Sequence, residues 1–421
     1  MKLFHPPALL RNTNIYEVNI RQYSAEGTFN AFALHLPRLK EMGVEILWLM
    51  PVFPIGIINR KGILGSYYSI KDFYGINREF GSSDDFGSLV NNAHILGMRI
   101  IIDWVANHAA WDNEWTLTNP EFFCRDENGN FLSPYDWTDV IQIDHNNTSQ
   151  QEAMRKAMAY WITQFDIDGF RADLAHLTPL PFWKEARTVL DDIKPDLIWL
   201  AETEEPAYHE AFDISYSWKW MHASEKLIKQ SAGADEIISF LMEDSLRIKE
   251  GFQLYFTSNH DENSWNGTEY EKYGVYAKAL AVFSATYLNA IPLIYSGQEI
   301  PNEKRLKFFE KDPIQWNYKL SLPGFYEILL KLRANNSVFT NERQQDFKIE
   351  SRSGLLYFER VSGDDCVIVI LNLSVAELCS DISFNTAGNY SDVFKKSDVG
   401  SNKGITVKLI PGEFLVLEKK A

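Results

Sequence analysis

Four acidic side chains in this sequence end, or directly follow, short apolar segments that have the length of β-strands. The four are Asp103, Asp173, Glu202 and Asp261. An ionised side chain so close to an apolar strand is costly unless it is paired or used. The C-terminal ends of parallel strands meet at one rim, which carries the chemistry in barrel enzymes. The four acids therefore predict a polar pocket at such a rim.

Two of these acids stand in contrasting surroundings. Arg171 and Asp173 are two positions apart, so both side chains project to the same face of a strand. A guanidinium beside a carboxylate favours the ionised form, which a nucleophile needs. Glu202 follows the apolar stretch Trp199–Ala201, which is expected to raise its pKa and keep it protonated as an acid. One charged and one neutral carboxyl group are the pair that a retaining glycosidase requires, although this reasoning names no sugar.

Strand-length apolar runs alternate with segments of helical period along most of the chain, which is the pattern of βα units. The predicted strands are Ile15–Ile20, Glu45–Pro51, Arg99–Val105, Ile167–Ala172, Leu197–Ala201, Phe212–Tyr216, Gln253–Ser258 and Ile291–Tyr295. The predicted helices are Phe32–Met42, Asp84–Leu96, Gln150–Gln164, Pro181–Ile193, Asp235–Ile248, Val275–Leu288 and Gly324–Ala334. Eight strands close a parallel (β/α)8 TIM barrel. The alternative, a doubly wound open sheet, is expected to carry a glycine-rich phosphate loop after its first strand, and residues 21–29 are not one.

Two regions depart from this alternation. The stretch between the third and fourth predicted strands is too long for a simple βα loop and carries turn signals such as Asn128-Gly129. After the last predicted helix, alternating apolar segments and a turn at Pro411-Gly412 indicate antiparallel strands. We predict a barrel made of residues 1–104 and 150–343, a small inserted domain over 105–149, and an all-β domain over 344–421.

Composition excludes several classes of protein. A hydrophobic content of 45% excludes a disordered chain. The net charge of −16 opposes binding to nucleic-acid phosphates, and no basic patch offsets it. The three cysteines lack disulfide or zinc-site spacing and are typical of a reducing compartment. With no apolar run of membrane-spanning length and no signal-peptide pattern, we expect a cytoplasmic protein without a membrane partner, or a periplasmic or secreted one if a signal peptide was removed.

Four short segments resemble, in order, the conserved blocks of the α-amylase family, a clan of retaining glycoside hydrolases that act on α-glucans. The segments are Asp103–His108 (DWVANH), Gly169–Asp173 (GFRAD), Glu202, and Asn259–Asp261 (NHD). Further matches occur at Ile46–Pro51, at Gly81 with Asp84–Phe86, and at Tyr295–Glu299. Because the blocks keep the family's order and spacing from about residue 14 to residue 300, the resemblance is specific.

The resemblance implies roles for individual residues. Asp173 would be the nucleophile, Glu202 the general acid/base, and Asp261 the third carboxylate, which holds sugar hydroxyls. The residues implied to bind the sugar beside the cleaved bond are Arg171, His108, His260 and the stacking aromatic residue Tyr68. Asp103 is interpreted as a residue that orients Arg171. The insertion would be the family's small second domain, and the tail its C-terminal antiparallel β-sandwich.

Two positions differ from the calcium-dependent members of the family, which carry Lys-His three and four residues after the nucleophile. Here these positions are His176 and Leu177, so the lysine contact with substrate is lost or changed. The backbone of Leu177 and the side chain of Asn107 are the candidate calcium ligands, but the side-chain signature does not support calcium. We expect no required cofactor.

Several tryptophans lie near these blocks. Trp111 and Trp115 either form a sugar platform or pack within one buried turn. Trp137, Trp218 and Trp220 are interpreted as packing residues.

The expected reaction is hydrolysis of α-1,4-glucosidic bonds in starch-like glucans or maltooligosaccharides by double displacement, with the two carboxyl groups about 5–5.5 Å apart. An α-glucosidase or an α-glucan transglycosylase would use the same residues. A non-catalytic family member is expected to lack some of the carboxylates and to carry a membrane segment, and a Schiff-base lyase needs a lysine at a strand end. In this sequence all the carboxylates are present, no membrane segment is seen, and no predicted strand ends in a lysine. The sequence does not decide whether the enzyme cleaves within chains or at chain ends.

Overall fold

A closed barrel of parallel strands forms the centre of the structure, a computed structural model that describes residues 4–229, 234–248, 251–316, 322–340, 346–352, 354–400 and 403–420. The barrel strands are β1 (Ile15–Val18), β2 (Ile46–Leu49), β3 (Arg99–Trp104), β4 (Gly169–Ala172), β5 (Ile198–Ala201), β6 (Ile214–Tyr216), β7 (Phe252–Tyr255) and β8 (Ala290–Tyr295). Each strand pairs with the next, and the pairing of Ile15 with Leu293 joins β1 to β8. All eight predicted strands are present, and the predicted barrel is confirmed.

Side chains along the barrel strands alternate between two cores. Trp48 and Ile101 belong to a buried cluster inside the barrel. Their neighbours Leu47 and Ile100 belong to a second cluster, which strands and surrounding helices share. Because both faces of the strands are covered, apolar residues dominate them. At the start of β4, a Cβ atom on Gly169 would lie 2.0 Å from the carbonyl oxygen of the neighbouring strand, so the close approach of β4 and β5 requires glycine.

Helices surround the barrel. The longer ones are Ser83–Ile95, Thr148–Phe165, Leu180–Ile193, Trp218–Ile228, Ala234–Arg247, Ala277–Thr286 and Pro323–Asn335, and the shorter ones are Ile20–Tyr23, Phe29–Ala33, Leu36–Met42, Trp115–Thr118, Glu269–Tyr273 and Ser337–Thr340. The predicted helix Phe32–Met42 is two helices, because the second begins with a proline in its first turn, which has no N–H to continue the first. The helix Trp218–Ile228 was not predicted, because it follows β6 after a single residue and no turn signal marks its start. Among the described residues, no helix is both long enough and apolar enough to cross a membrane.

The long segment between β3 and β4 contains a small antiparallel hairpin. His108–Ala110 pairs with Val140–Gln142, with His108 opposite Gln142. Because the first hairpin strand begins four residues after β3 ends, the hairpin stands at the C-terminal rim of the barrel.

The C-terminal strands form two antiparallel sheets. They are β9 (Asp346–Arg352), β10 (Leu355–Ser362), β11 (Asp365–Leu371), β12 (Leu378–Ser383), β13 (Tyr390–Asp392), β14 (Gly404–Leu409) and β15 (Phe414–Lys419). One sheet has the order β9-β10-β11-β15-β13, and β12 pairs with β14 in the other. Tyr357 and Ile368 of the larger sheet share a buried cluster with Ile382 and Val407 of the smaller one, so the sheets pack face to face as a sandwich. The other face of the larger sheet packs on the barrel around Phe283.

Candidate active site

Arg171 is the centre of a group of carboxylates at the C-terminal rim of the barrel. Its Nη1 donates to Oδ1 of Asp103 at 2.8 Å and to Oδ1 of Asp173 at 2.9 Å. Its Nη2 lies 2.8 Å from Oε2 of Glu202, and its Nε donates to the hydroxyl of Tyr216 at 3.2 Å. The three acids come from the ends of β3, β4 and β5, so barrel closure brings together residues that are far apart in sequence. The contact between Asp103 and Arg171 agrees with the interpretation that Asp103 orients the guanidinium.

Asp173 follows β4 directly and is held from several sides. Its N–H donates to the carbonyl oxygen of Trp104 at 2.9 Å. Asn107 Nδ2 donates to the carbonyl oxygen of Asp173 at 3.2 Å. The carboxylate accepts a hydrogen bond from the buried Arg171, and it also lines the cleft. Such a carboxylate is oriented before any substrate arrives, which is what attack on a bound sugar requires.

Glu202 is a buried acid directly after β5. Burial raises its pKa to about 8, with a contribution from the charges of Asp173 and Asp261, although Arg171 opposes the shift. Its Oε2 accepts a hydrogen bond from the N–H of Leu174 at 2.8 Å. The sequence-based expectation of a raised pKa at Glu202 agrees with this environment. A carboxyl group with this pKa carries a proton at neutral pH and can donate it.

His260 links the third acid to the barrel interior. Its Nδ1 lies 2.5 Å from Oε1 of Glu17, a buried residue of β1. Its Nε2 lies 2.7 Å from the hydroxyl of Tyr68 and 3.3 Å from Oδ2 of Asp261. Although burial opposes the shift, the positive charge of His260 lowers the pKa of Asp261, which is therefore ionised.

A cleft of about 310 Å³ opens over these groups. Its lining residues are Lys61, Ser66, Tyr68, His108, Trp137, Asp139, Val140, Asp173, Leu174, Glu202, Asp261, Phe308 and Phe309. Five of the sequence-derived site residues are among them: Tyr68, His108, Asp173, Glu202 and Asp261. The other two, Arg171 and His260, are 0% and 2% exposed. Arg171 contacts the lining residue Asp173, and His260 contacts the lining residue Tyr68. His176 is exposed and lies outside this lining.

Sequence reasoning missed much of the cleft wall. Lys61, Asp139, Phe308 and Phe309 lie in loops, and no conserved block of the resemblance includes them. Trp137, which was interpreted as a packing residue, lines the cleft and packs edge-on against the ring of His108. Its place in the inserted segment that follows the first block was the one available signal.

The other tryptophans are mostly engaged in packing. Trp115 stacks on Phe73, and Trp220 is buried against Phe283. Trp218 stacks on the ring of Tyr216, and Trp111 donates its indole N–H to the carbonyl oxygen of Thr138.

One candidate calcium ligand, Asn107, is engaged within the protein. Its Oδ1 contacts Nδ1 of His108, and its Nδ2 donates to the carbonyl oxygen of Asp173. Within the described ranges, no three side chains of His, Cys, Asp or Glu are grouped to hold a metal ion. The expectation that no cofactor is required stays a prediction.

Comparison with known proteins agrees with the fold and the site. Residues 10–121 match a family model described as "Alpha amylase, catalytic domain". A solved noncanonic maltogenic α-amylase, AmyB from Thermotoga neapolitana, is 31% identical with a TM-score of 0.88 and covers 98% of this chain and 99% of its own. Alpha-amylase 3 of Dictyoglomus thermophilum is 24% identical over 92% of this chain and 88% of its own length. An α-1,4-glucan:maltose-1-phosphate maltosyltransferase of Rhodospirillum rubrum is 25% identical over 86% of this chain, which spans only 56% of that protein.

A (β/α)8 barrel with paired carboxylates at its C-terminal rim, together with these similarities, defines a glycoside hydrolase. The chain belongs to the α-amylase family.

Proposed function

We propose that this protein is a retaining hydrolase of α-1,4-glucosidic bonds in starch-like glucans or maltooligosaccharides. The observation that carries the proposal is the pairing of Asp173 and Glu202 on one guanidinium, with burial holding Glu202 in its protonated form. Retaining glycosidases need one carboxylate that attacks and one carboxyl group that first gives and then accepts a proton.

In the first step, a carboxylate oxygen of Asp173 attacks the anomeric carbon of the bound glucosyl unit. The bond from this carbon to the glycosidic oxygen breaks, and Glu202 transfers its proton to that oxygen, so the leaving chain departs with a hydroxyl group. The anomeric carbon becomes an ester of Asp173 with inverted configuration. The new negative charge on Glu202 is stabilised by Arg171 and by the N–H of Leu174.

In the second step, a water molecule attacks the same carbon and Glu202 removes its proton. The ester bond breaks, Asp173 leaves as a carboxylate, and Glu202 is again protonated. Two inversions give net retention, and both side chains return to their starting states. In this proposal, Asp261, which is ionised beside His260, binds sugar hydroxyls while positive charge develops on the ring.

The remaining site residues have supporting roles in this proposal. Tyr68 lies at the base of the cleft as the aromatic surface under the glucosyl ring, and His108 lines the cleft for a sugar contact. Arg171 and His260 act through the carboxylates that they contact, because both are buried.

Transfer to a sugar instead of water is the second candidate function. It is favoured by the maltosyltransferase relatives, and the same three acids would perform it. An α-glucosidase would differ only in substrate length. Hydrolysis and transfer differ only at the second step, in which water attacks the ester in the first case and a sugar hydroxyl attacks it in the second.

The test is a product time course with soluble starch, maltoheptaose and maltotriose, followed by NMR of the new anomeric proton. We expect α-configured products, more than about 10⁴-fold loss of kcat in Asp173→Asn, and little change in Asp136→Asn, an exposed acid of the inserted segment. β-configured products, or full activity of Asp173→Asn, would overturn the proposal. Addition of maltose as an acceptor identifies a transglycosylase if products longer than the substrate dominate.

A further inference from the structure

A loop formed by residues 56–65, which follows β2, contributes Lys61 to the wall of the cleft that contains Asp173, Glu202 and Asp261. Arg60 folds this loop on itself, because its Nε donates to the carbonyl oxygen of Gly56 at 2.7 Å and its Nη2 to that of Ile55 at 3.2 Å. A guanidinium that binds two carbonyl groups of its own loop gives the loop a fixed shape. The loop is therefore an ordered part of the cleft wall.

On one side, the loop is bound to the segment that follows β8. The N–H of Leu64 donates to the carbonyl oxygen of Phe309 at 3.1 Å, and the N–H of Ile63 donates to Oε1 of Glu310 at 3.2 Å. Gly62 has φ +65°, and a Cβ atom there would lie 2.5 Å from Cβ of Phe309. This contact consequently needs glycine, both for its conformation and for its lack of a side chain.

On the other side, the loop is bound to the inserted segment. Lys61 Nζ lies 3.0 Å from Oδ1 of Asp139, and both residues line the cleft that contains Asp173. The Asp139 side chain is only 7% exposed, so this ion pair is shielded from water more than a surface pair is. The N–H of Ile57 also donates to the carboxylate of Asp112 at 3.0 Å. Loop 56–65 thus connects the two walls of the cleft.

The loop lies on the side of the cleft that carries Tyr68. The ring of Phe308 stacks on the ring of Tyr68 with centroids 6.2 Å apart and planes at 17°, and Phe309 is the residue bound to the loop. Glu202 contacts Arg171 and Leu174 instead. Under the proposed function, the leaving group extends over Glu202 and the transferred glycosyl group over Tyr68. The loop therefore ends the cleft on the glycosyl side.

We propose that loop 56–65, held by the Lys61–Asp139 ion pair, closes the glycosyl side of the cleft and makes the enzyme release short oligosaccharides from the non-reducing ends of α-glucan chains. This inference rests on the proposed function and deepens it. The charged groups of Lys61 and Asp139 supply a donor and an acceptor for the hydroxyls of a terminal glucose.

The test compares Lys61→Ala and Asp139→Asn with wild type and with a matched control, Lys348→Ala. Lys348 lies in β9 of the C-terminal sandwich, outside the cleft lining, and its partly exposed side chain pairs with Glu350 at 3.2 Å. Maltoheptaose labelled at its reducing end and long amylose are the substrates, and products are separated by length from the first minutes. We expect wild type and Lys348→Ala to release short unlabelled products of uniform length. Both cleft variants should raise the share of longer products about fivefold, the size expected for one partly shielded ion pair.

Unchanged product lengths in both cleft variants, internal cleavage by wild type from the start, or the same change in Lys348→Ala would each overturn this inference. These outcomes leave hydrolysis itself intact. By contrast, a protein that cleaves no α-glucan, or an active Asp173→Asn variant, would overturn the proposed function. The two failures are therefore distinguishable.

Discussion

Oε1 of Glu17 lies 2.5 Å from Nδ1 of His260 inside the barrel, and both side chains are almost completely buried. Burial opposes a charge on His260, but the carboxylates of Asp261 and Glu17 outweigh it and raise the pKa of His260 well above its ordinary value. The imidazolium lies between these two carboxylates. The carboxylate of Glu17 binds His260, and His260 in turn contacts Asp261 in the cleft. Glu17 is therefore a positioning residue for Asp261.

We expect Glu17→Gln to lower the pKa of His260, because one of the two negative charges that raise it is removed. His260 would then lose its proton at a lower pH, and Asp261 would lose its cationic partner. The expected result is a fall in kcat/KM of about 10–100-fold, as for other carboxylates placed behind a functional histidine. The loss of activity with rising pH should also begin at a lower pH than in wild type. The measurement is kcat/KM on maltoheptaose as a function of pH.

A control separates positioning from general damage to the barrel. Glu299 is equally buried and binds Arg38 and Tyr16, away from the cleft. Glu299→Gln should alter the melting temperature without moving the pH profile. If Glu17→Gln keeps the wild-type pH profile, the positioning role is wrong.

The raised pKa of Glu202 predicts the upper limit of the pH range for activity. Only the protonated form can donate to the leaving oxygen, so kcat/KM should fall as pH rises through about 8. In Glu202→Gln this limb should disappear, and activity on glucans should drop by about 10²–10⁴-fold. A substrate with an activated aryl leaving group needs little proton donation and should lose much less. A Glu202→Gln variant that retains the limb would show that another group causes it.

The raised pKa of Glu202 also means that this residue lowers the free energy of unfolding as pH rises. The unfolded carboxyl group has a pKa near 4.5 and the folded one about 8, so the folded state binds a proton that the unfolded state lacks between these values. Stability therefore decreases as pH rises through this window. We expect Glu202→Gln to be more stable than wild type by a few kcal/mol at pH 8, since each unit of pKa difference is worth about 1.4 kcal/mol, with the gain vanishing near pH 4.

Thermal unfolding at both pH values measures this difference. Glu205→Gln, a change at an exposed acid three residues along the chain, is the matched control and should have little effect at either pH. A Glu202→Gln variant with the same gain at both pH values would contradict the linkage argument.

Two of the candidate catalytic carboxylates were predictable because each directly follows a strand. Asp173 and Glu202 follow apolar strand sequences, and parallel strands in a barrel must bring their C-terminal ends together. Glu17 carried a similar signal, since it is an acid within the apolar strand Ile15–Val18, but no conserved block pointed to it. Its role follows only from barrel closure, which brings Glu17 of β1 into contact with His260 in the loop after β7.

The walls of the cleft could not be predicted in the same way. Lys61, Asp139 and Phe309 lie in three loops that are far apart in sequence and have no periodic pattern. Their contacts depend on how each loop folds over the rim, which local sequence preferences do not determine. Trp137 shows the same limitation, because a tryptophan in a loop serves packing and sugar binding equally well.

The C-terminal sandwich is joined to the barrel by a buried arginine. In β10, Nη1 of Arg360 donates to the carbonyl oxygens of Thr286 and Tyr287 at 2.9 Å each, and its Nη2 donates to that of Val338 at 2.9 Å. The side chain is buried, and its guanidinium lies over the ring of Phe339 at 4.5 Å. The helix Ala277–Thr286 and the residue after it thus depend on a side chain from the C-terminal domain.

We expect Arg360→Met to destabilise the whole protein, because it leaves three buried carbonyl groups without this donor. An unsatisfied buried group costs about 1–3 kcal/mol, so a loss of about this size is expected. Thermal and urea unfolding measure it, with Arg305→Met as a control at a half-exposed arginine paired with Glu271. The carbonyl groups that Arg360 binds belong to residues outside the cleft lining. The kcat of the folded variant at low temperature should therefore remain close to that of wild type. Separate melting of the sandwich and the barrel in wild type would contradict this coupling, since the arginine bonds both units in one cooperative structure.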